Sequence, residues 1–200
     1  MIKKILLILF FLHMLFLPAF AEAGDYKDID SMWELVSEYS PSDEITAAVV
    51  TAIHYESNCT ANAVGGGYLL SDHYSEDVTA AIDAGLEDGS TREAFMKHCV
   101  DKKQCWGYGL LQWVDYNECG KLYDYAAECG TSIGDARTQV AFIFWNLQEN
   151  MPEVWQKLLD AESAGDAGIV FAHWFVGTGD GLKLQDRAWF AKELIKQFGD

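Results

Sequence analysis

At 200 residues, half of them apolar and 14% aromatic, the chain has the length of one domain and the apolar mass for a packed core, which excludes disorder. Three prolines and no Gly-X-Y period exclude collagen-like and linker-dominated architectures. Fourteen Lys and Arg against 31 Asp and Glu leave a net charge of −17, which repels a phosphate backbone and excludes nucleic acid as a partner.

Lys3 and Lys4 precede an apolar run over 5–17, Pro18 breaks it, and Ala19-Phe20-Ala21 fits a small-x-small cleavage site. This predicts a signal peptide over 1–21 and a secreted or periplasmic domain over 25–200 with no membrane anchor once the leader is removed. Five cysteines follow, at 59, 99, 105, 119 and 129, in a compartment that permits disulfides. Cys99 and Cys105 flank a short polar turn and are the expected pair. Cys119 and Cys129 lie on one predicted helix, about 15 Å apart in rise, beyond the disulfide limit of about 7 Å. No Cys-x-x-Cys or His-Glu-x-x-His occurs, so no metal and no cofactor are expected.

Apolar periodicity predicts a first helix over 25–39 and a second beginning at Ser40-Pro41-Ser42-Asp43, read as an N-cap followed by a first-turn proline and an acid. Ile45, Val49 and Ile53 share the buried face of that second helix, which ends near Glu56-Ser57-Asn58-Cys59. Residues 61–70, with three glycines and Tyr68-Leu69-Leu70, suggest a turn and a small β excursion. Short helices are predicted over 76–84 and from a capping box at Ser90-Thr91-Arg92-Glu93. Gly107 and Gly109, set among Trp106, Tyr108 and Trp113, mark a tight turn. Helices over 117–129, 135–149, 153–161, 166–176 and 184–198 follow, the 135–149 helix being the expected centre of the core. The fold class is therefore mainly α with a small β excursion.

Glu56 is the candidate for an acid with chemistry to do. It lies beside a buried face and at a helix C-terminus, so apolar surroundings and the negative end of the helix dipole both disfavour its carboxylate and favour a protonated acid. Such an acid suits protonation of the oxygen leaving a glycosidic bond. The bland alternative is a solvated acid at a frayed helix end.

Glu56-Ser57, the glycine-rich turn after it and Gly109-Leu110-Leu111-Gln112-Trp113 resemble the paired signatures of the lysozyme-like superfamily, where a helix-ending Glu-Ser faces a Gly-x-x-Gln segment. The chain is more closely similar to the phage tail lysozyme family, from about Ile29 to Leu159. The matching blocks are Trp33 and Leu35, Glu44-Ile45, Asp83-Ala84-Gly85, Thr91-Arg92-Glu93-Ala94-Phe95, Gly107-Tyr108, and Ser132-Ile133-Gly134-Asp135 leading to Gln139. The resemblance implies an α+β lysozyme-like fold and cleavage of peptidoglycan glycan strands by a monomeric enzyme without a cofactor. It makes Glu56 the general acid and Gln112 a substrate-cleft amide, with Tyr68, Tyr108 and Trp113 as flat faces for sugar rings. Core packing is the competing role for these aromatics and for Trp106. Asp83 is the candidate second carboxylate, with Asp72 and Asp77 as alternatives. Hydrolysis and transglycosylation both stay open, as do inversion and retention. Near the end, Phe171-Ala172-His173-Trp174-Phe175 and the loop 177–181 replace the family's Tyr-Glu-Arg-Pro-like stretch. The cysteines and the leader suggest a member adapted to export rather than to assembly in a virion.

Two rivals remain. A cysteine peptidase would use Cys59 with one of His54, His73, His98 or His173, although nothing local marks a nucleophile. A catalytically silent module would keep the cleft as a grip on the wall, and the acidic surface favours that caution where the wall is rich in anionic polymer.

Overall fold

The computed structural model describes residues 26, 28–63, 73–100 and 107–199, with side chains of 73–76 excepted. The predicted leader, Tyr68, Asp72, Cys105, Trp106 and the 64–70 stretch of the expected β excursion lie outside the described residues. So does one half of the expected Cys99–Cys105 pair.

The described chain is mainly helical: α1 Ile29–Ser37, α2 Asp43–Ser57, α3 His73–Asp83, α4 Arg92–Val100, α5 Tyr116–Cys129, α6 Ala136–Glu149, α7 Pro152–Leu159, α8 Ala164–Val170, a π-helical turn Phe171–Phe175, and α9 Gly181–Phe198. No strand occurs among the described residues. One antiparallel bridge, Tyr108 to Trp113, closes the tight turn expected there. No helix among the described residues is long and apolar enough to cross a membrane.

Side-chain caps set most helix starts. Asp28 accepts from Ser31 N and opens α1 four residues later than expected. The cap of α2 is Ser42, not Ser40. Ser42 is extended and its Oγ accepts from Ile45 N, so Pro41 falls before the cap and Asp43 and Glu44 fill the first turn, where the helix dipole favours acids. Asp115 and Asp135 cap α5 and α6, and Gly130 ends α5 in the left-handed conformation, as its position predicts. The expected 166–176 helix begins earlier, at Ala164 after the cap Ser163, and changes pitch at Phe171. There Val176 N bonds to Phe171 O, and Phe171 stacks on Phe175 at 4.8 Å.

The core centres on α2 rather than on α6. Helix α6 is well buried through Val140, Phe142, Ile143, Phe144 and Leu147, but α2 packs against α1, α8 and α9 at once. Small residues explain the difference. Ala47, Ala48 and Ala52 give α2 a low profile, and Gly168 lets α8 approach α9 so closely that an added Cβ would lie 3.3 Å from Ala191 Cβ. Trp33 of α1 stacks on Phe198 of α9 at 5.3 Å, joining the two ends of the described chain.

Candidate functional site

Helix α2 ends where Asn58 turns left-handed at φ 51° and returns its N–H to His54 O. Cys59 follows at φ 63°. The third non-glycine with positive φ among the described residues is Gln112, at 50°. All three lie in the two segments that carry the resemblance, and strained backbone of this kind gathers at functional sites.

The expected apolar surroundings of Glu56 are replaced by a guanidinium. Arg187, from α9, donates through Nη2 to Glu56 Oε1 at 2.6 Å, across 131 positions of sequence. The Arg187 side chain is 7% exposed and that of Glu56 23%. The Arg187 guanidinium stands over the Tyr55 ring, 5.1 Å from its centroid, in a cation–π contact. Phe190, one turn further along α9, meets Tyr55 edge-on and stacks on His54 at 4.9 Å. The C-terminal end of α2 and the middle of α9 are therefore joined by an aromatic layer with an ion pair beside it.

Glu56, Arg187 and Tyr55 line a cavity of about 700 Å³. Its far wall is the loop from Val176 to Asp180, and Lys183 and Asp186 of α9 complete it. That loop is positioned by the π-helical turn: Thr178 N bonds to Ala172 O at 2.8 Å, and Thr178 O meets His173 Nδ1 at 3.1 Å. Asp180 is committed to capping α9 through Leu182 N.

The second signature segment is built around a different residue. Gln139 is fully buried on α6. It accepts from Leu110 N through Oε1 at 2.7 Å and donates through Nε2 to Ala61 O and Ile133 O at 2.6 and 2.7 Å. One amide thus ties the segment leaving α2, the turn 107–113 and the approach to α6. Gln112 donates to Ala63 O and Gly109 O, so its amide holds the turn against the exit from α2, and it does not line the Glu56 cavity.

Tyr108 is fully buried, its ring edge-on to Phe95 and its hydroxyl 2.5 Å from Thr79 Oγ1. Trp113 is 7% exposed and packs on Phe142. Neither ring presents a face to a sugar; the turn between two helices folds both into the core. Asp83 accepts from Ser132 Oγ and Ile133 N, holding the 131–135 loop, and stands outside the Glu56 cavity. Asp77 does not line the cavity either.

Arg187 and Tyr55 were not singled out from sequence, and the 177–181 loop was noted only as a departure from the family's pattern. Tyr55 adjoins Glu56 and Arg187 follows Lys183 by one helical turn, but no local pattern pairs 56 with 187. Near Glu56, burial first and the charge of Asp28 second push the Cys59 thiol up to about 11, so at neutral pH it is a protonated thiol rather than a nucleophile. Among the described residues no group of three or more His, Cys, Asp or Glu is placed to hold a metal ion.

The family model for phage tail lysozyme matches residues 28–198, which takes in α8, the π-helical turn and α9 beyond the blocks read from sequence. No curated protein and no solved structure matches the chain.

Proposed function

The chain belongs to the phage tail lysozyme family, and from that membership we propose that it cuts the glycan strand of peptidoglycan outside the cell membrane, with Glu56 as the acid that protonates the leaving glycosidic oxygen. The observation that carries this reading is the position of Glu56: a partly exposed carboxyl at a rigid helix end, beside strained backbone, opening on a cavity of about 700 Å³. Tyr55, 44% exposed at the same cavity, offers the aromatic face to a sugar ring that Tyr108 and Trp113 do not. Gln112 acts by shaping the turn, since its amide already donates to two carbonyls.

One observation favours the silent module. Glu56 Oε1 accepts from Arg187 Nη2, so the acid is engaged by a guanidinium rather than free to face a glycosidic oxygen.

Incubation of the purified protein with peptidoglycan, beside Glu56→Gln, separates the two. The parent is expected to release soluble fragments with new reducing or anhydro-muramyl ends, which also distinguishes hydrolysis from transglycosylation. Glu56→Gln is expected to fall by about 10²–10⁴-fold, the usual contribution of a positioned acid. Binding without fragments supports the silent module, and cleaved peptide stems support a peptidase.

A further inference from the structure

Arg187 holds more donors than Glu56 uses. A guanidinium carries five N–H groups in a planar fork, yet Nε and Nη1 of Arg187 are buried with no hydrogen-bond partner among the described residues, and Glu56 engages Nη2 through one oxygen. A buried charge with open donors is costly unless another group completes it. Nε and Nη1 lie on different edges of the guanidinium and each makes a two-donor fork only with Nη2, so the paired oxygens of a carboxylate complete one edge when Glu56 yields Nη2.

Lys183, one turn before Arg187 on the same face of α9, adds a second cation to the lining of the cavity, beside the acids Asp180, whose Oδ1 is given to its cap, and Asp186. Gly177 and Gly179 also line the cavity, and a Cβ added at either would meet nothing within 4 Å, so this part of the lining is uncrowded backbone.

We propose that Arg187 is the receptor for a carboxylate carried by the glycan substrate, and that this carboxylate and Glu56 compete for the same guanidinium. Resting on the glycan-cleaving reading, the proposal resolves its difficulty. The substrate carboxylate replaces Glu56 on the guanidinium. The released Glu56 takes one proton from hydronium and delivers it to the glycosidic oxygen as the carbon–oxygen bond breaks, its electron pair staying with that oxygen; the anomeric carbon then bonds to the oxygen of water, or of the sugar's own 6-hydroxyl, whose proton passes to the Glu56 carboxylate. Arg187 keeps an anionic partner throughout, so no buried charge is stranded. Peptidoglycan offers this chemistry in two places: the lactyl carboxylate of a peptide-free muramic acid, and a free carboxylate on a stem peptide.

Titration calorimetry with N-acetylglucosaminyl-N-acetylmuramic acid, its lactyl methyl ester, and the same disaccharide bearing a stem peptide tests the proposal on parent and Glu56→Gln. The parent is expected to bind the acid about tenfold tighter than the ester, and Glu56→Gln to widen that preference by about another tenfold because its amide no longer competes. Arg187→Met is expected to abolish the preference and keep the affinity for the ester. A preference confined to the peptide-bearing disaccharide supports the receptor and assigns the carboxylate to the stem. Equal affinity for all three ligands in both parent and Glu56→Gln overturns the proposal, and this comparison decides alone if Arg187→Met does not fold. A parent that prefers the acid but releases no fragments keeps the receptor and loses the enzyme; one that cuts without preference does the reverse.

Discussion

Gln139 and Arg187 are long polar side chains buried beside the segments that carry the site, and their hydrogen bonding is of opposite kinds. Gln139 gives its oxygen to Leu110 N and its nitrogen to the carbonyls of Ala61 and Ile133, so every group it meets is satisfied by the protein. Arg187 leaves Nε and Nη1 open and rests on a carboxylate and an aromatic face that both reach the cavity. A satisfied buried network fixes one structure, whereas an incomplete one is retained where something outside the chain completes it. The first junction holds the 107–113 turn against the exit from α2, and the second faces the cavity.

The contrast breaks most visibly at Gln139. Gln139→Leu keeps the volume but strands the Leu110 N–H and the Ile133 carbonyl in the core, the part-buried Ala61 carbonyl relaxing toward water, a loss of about 2–6 kcal/mol at 1–3 kcal/mol for each of the two stranded groups. A thermal melt is expected to shift down by roughly 10 °C for a chain of this size. Gly109→Ala attacks the same junction from the turn. It forces a side chain onto a φ of +78° and sets a methyl 2.6 Å from Gln139 Oε1, at a cost of about 2–3 kcal/mol. Urea unfolding of both variants and their combination is expected to show less than additive losses, because the two changes damage one network.

Local chemistry made the helices legible. Gly130 and Asp135 mark their ends and starts because the left-handed cap and the side-chain cap are decided within one turn. Where two candidates compete within one turn, as Ser40 and Ser42 do, the pattern cannot choose, and the acids at 43 and 44 tip the balance toward the later cap. The centre of the core was misplaced on α6 because aromatic residues signal burial more loudly than alanines. Yet the alanines of α2 let three elements close upon it. Glu56 was legible as a helix-ending acid, but its partner was not, since 131 positions separate it from Arg187 and no periodicity spans that distance. Tyr108 and Trp113 show the converse error. Aromatics beside glycines look like platforms for sugar, and only the packing of Phe95 and Phe142 against them reveals that they are core.

The smallest expected effect on stability sharpens the comparison most. Arg187→Met removes the guanidinium but keeps an unbranched stem of similar reach that can still lie on Tyr55. Glu56 loses its partner, but a side chain 23% exposed can turn its carboxylate to water, so the penalty for an isolated buried charge is largely avoided. Two buried donors without partners disappear at the same time. These terms oppose each other, and the midpoint of urea unfolding is expected to move by no more than about 1 kcal/mol at unchanged slope. Fragment release from peptidoglycan is expected to fall about tenfold or more, because a substrate without its anchor is held less often in the reacting geometry. A variant as unstable as Gln139→Leu would make Arg187 a structural tie, and the ion pair would then be part of the scaffold rather than of the chemistry.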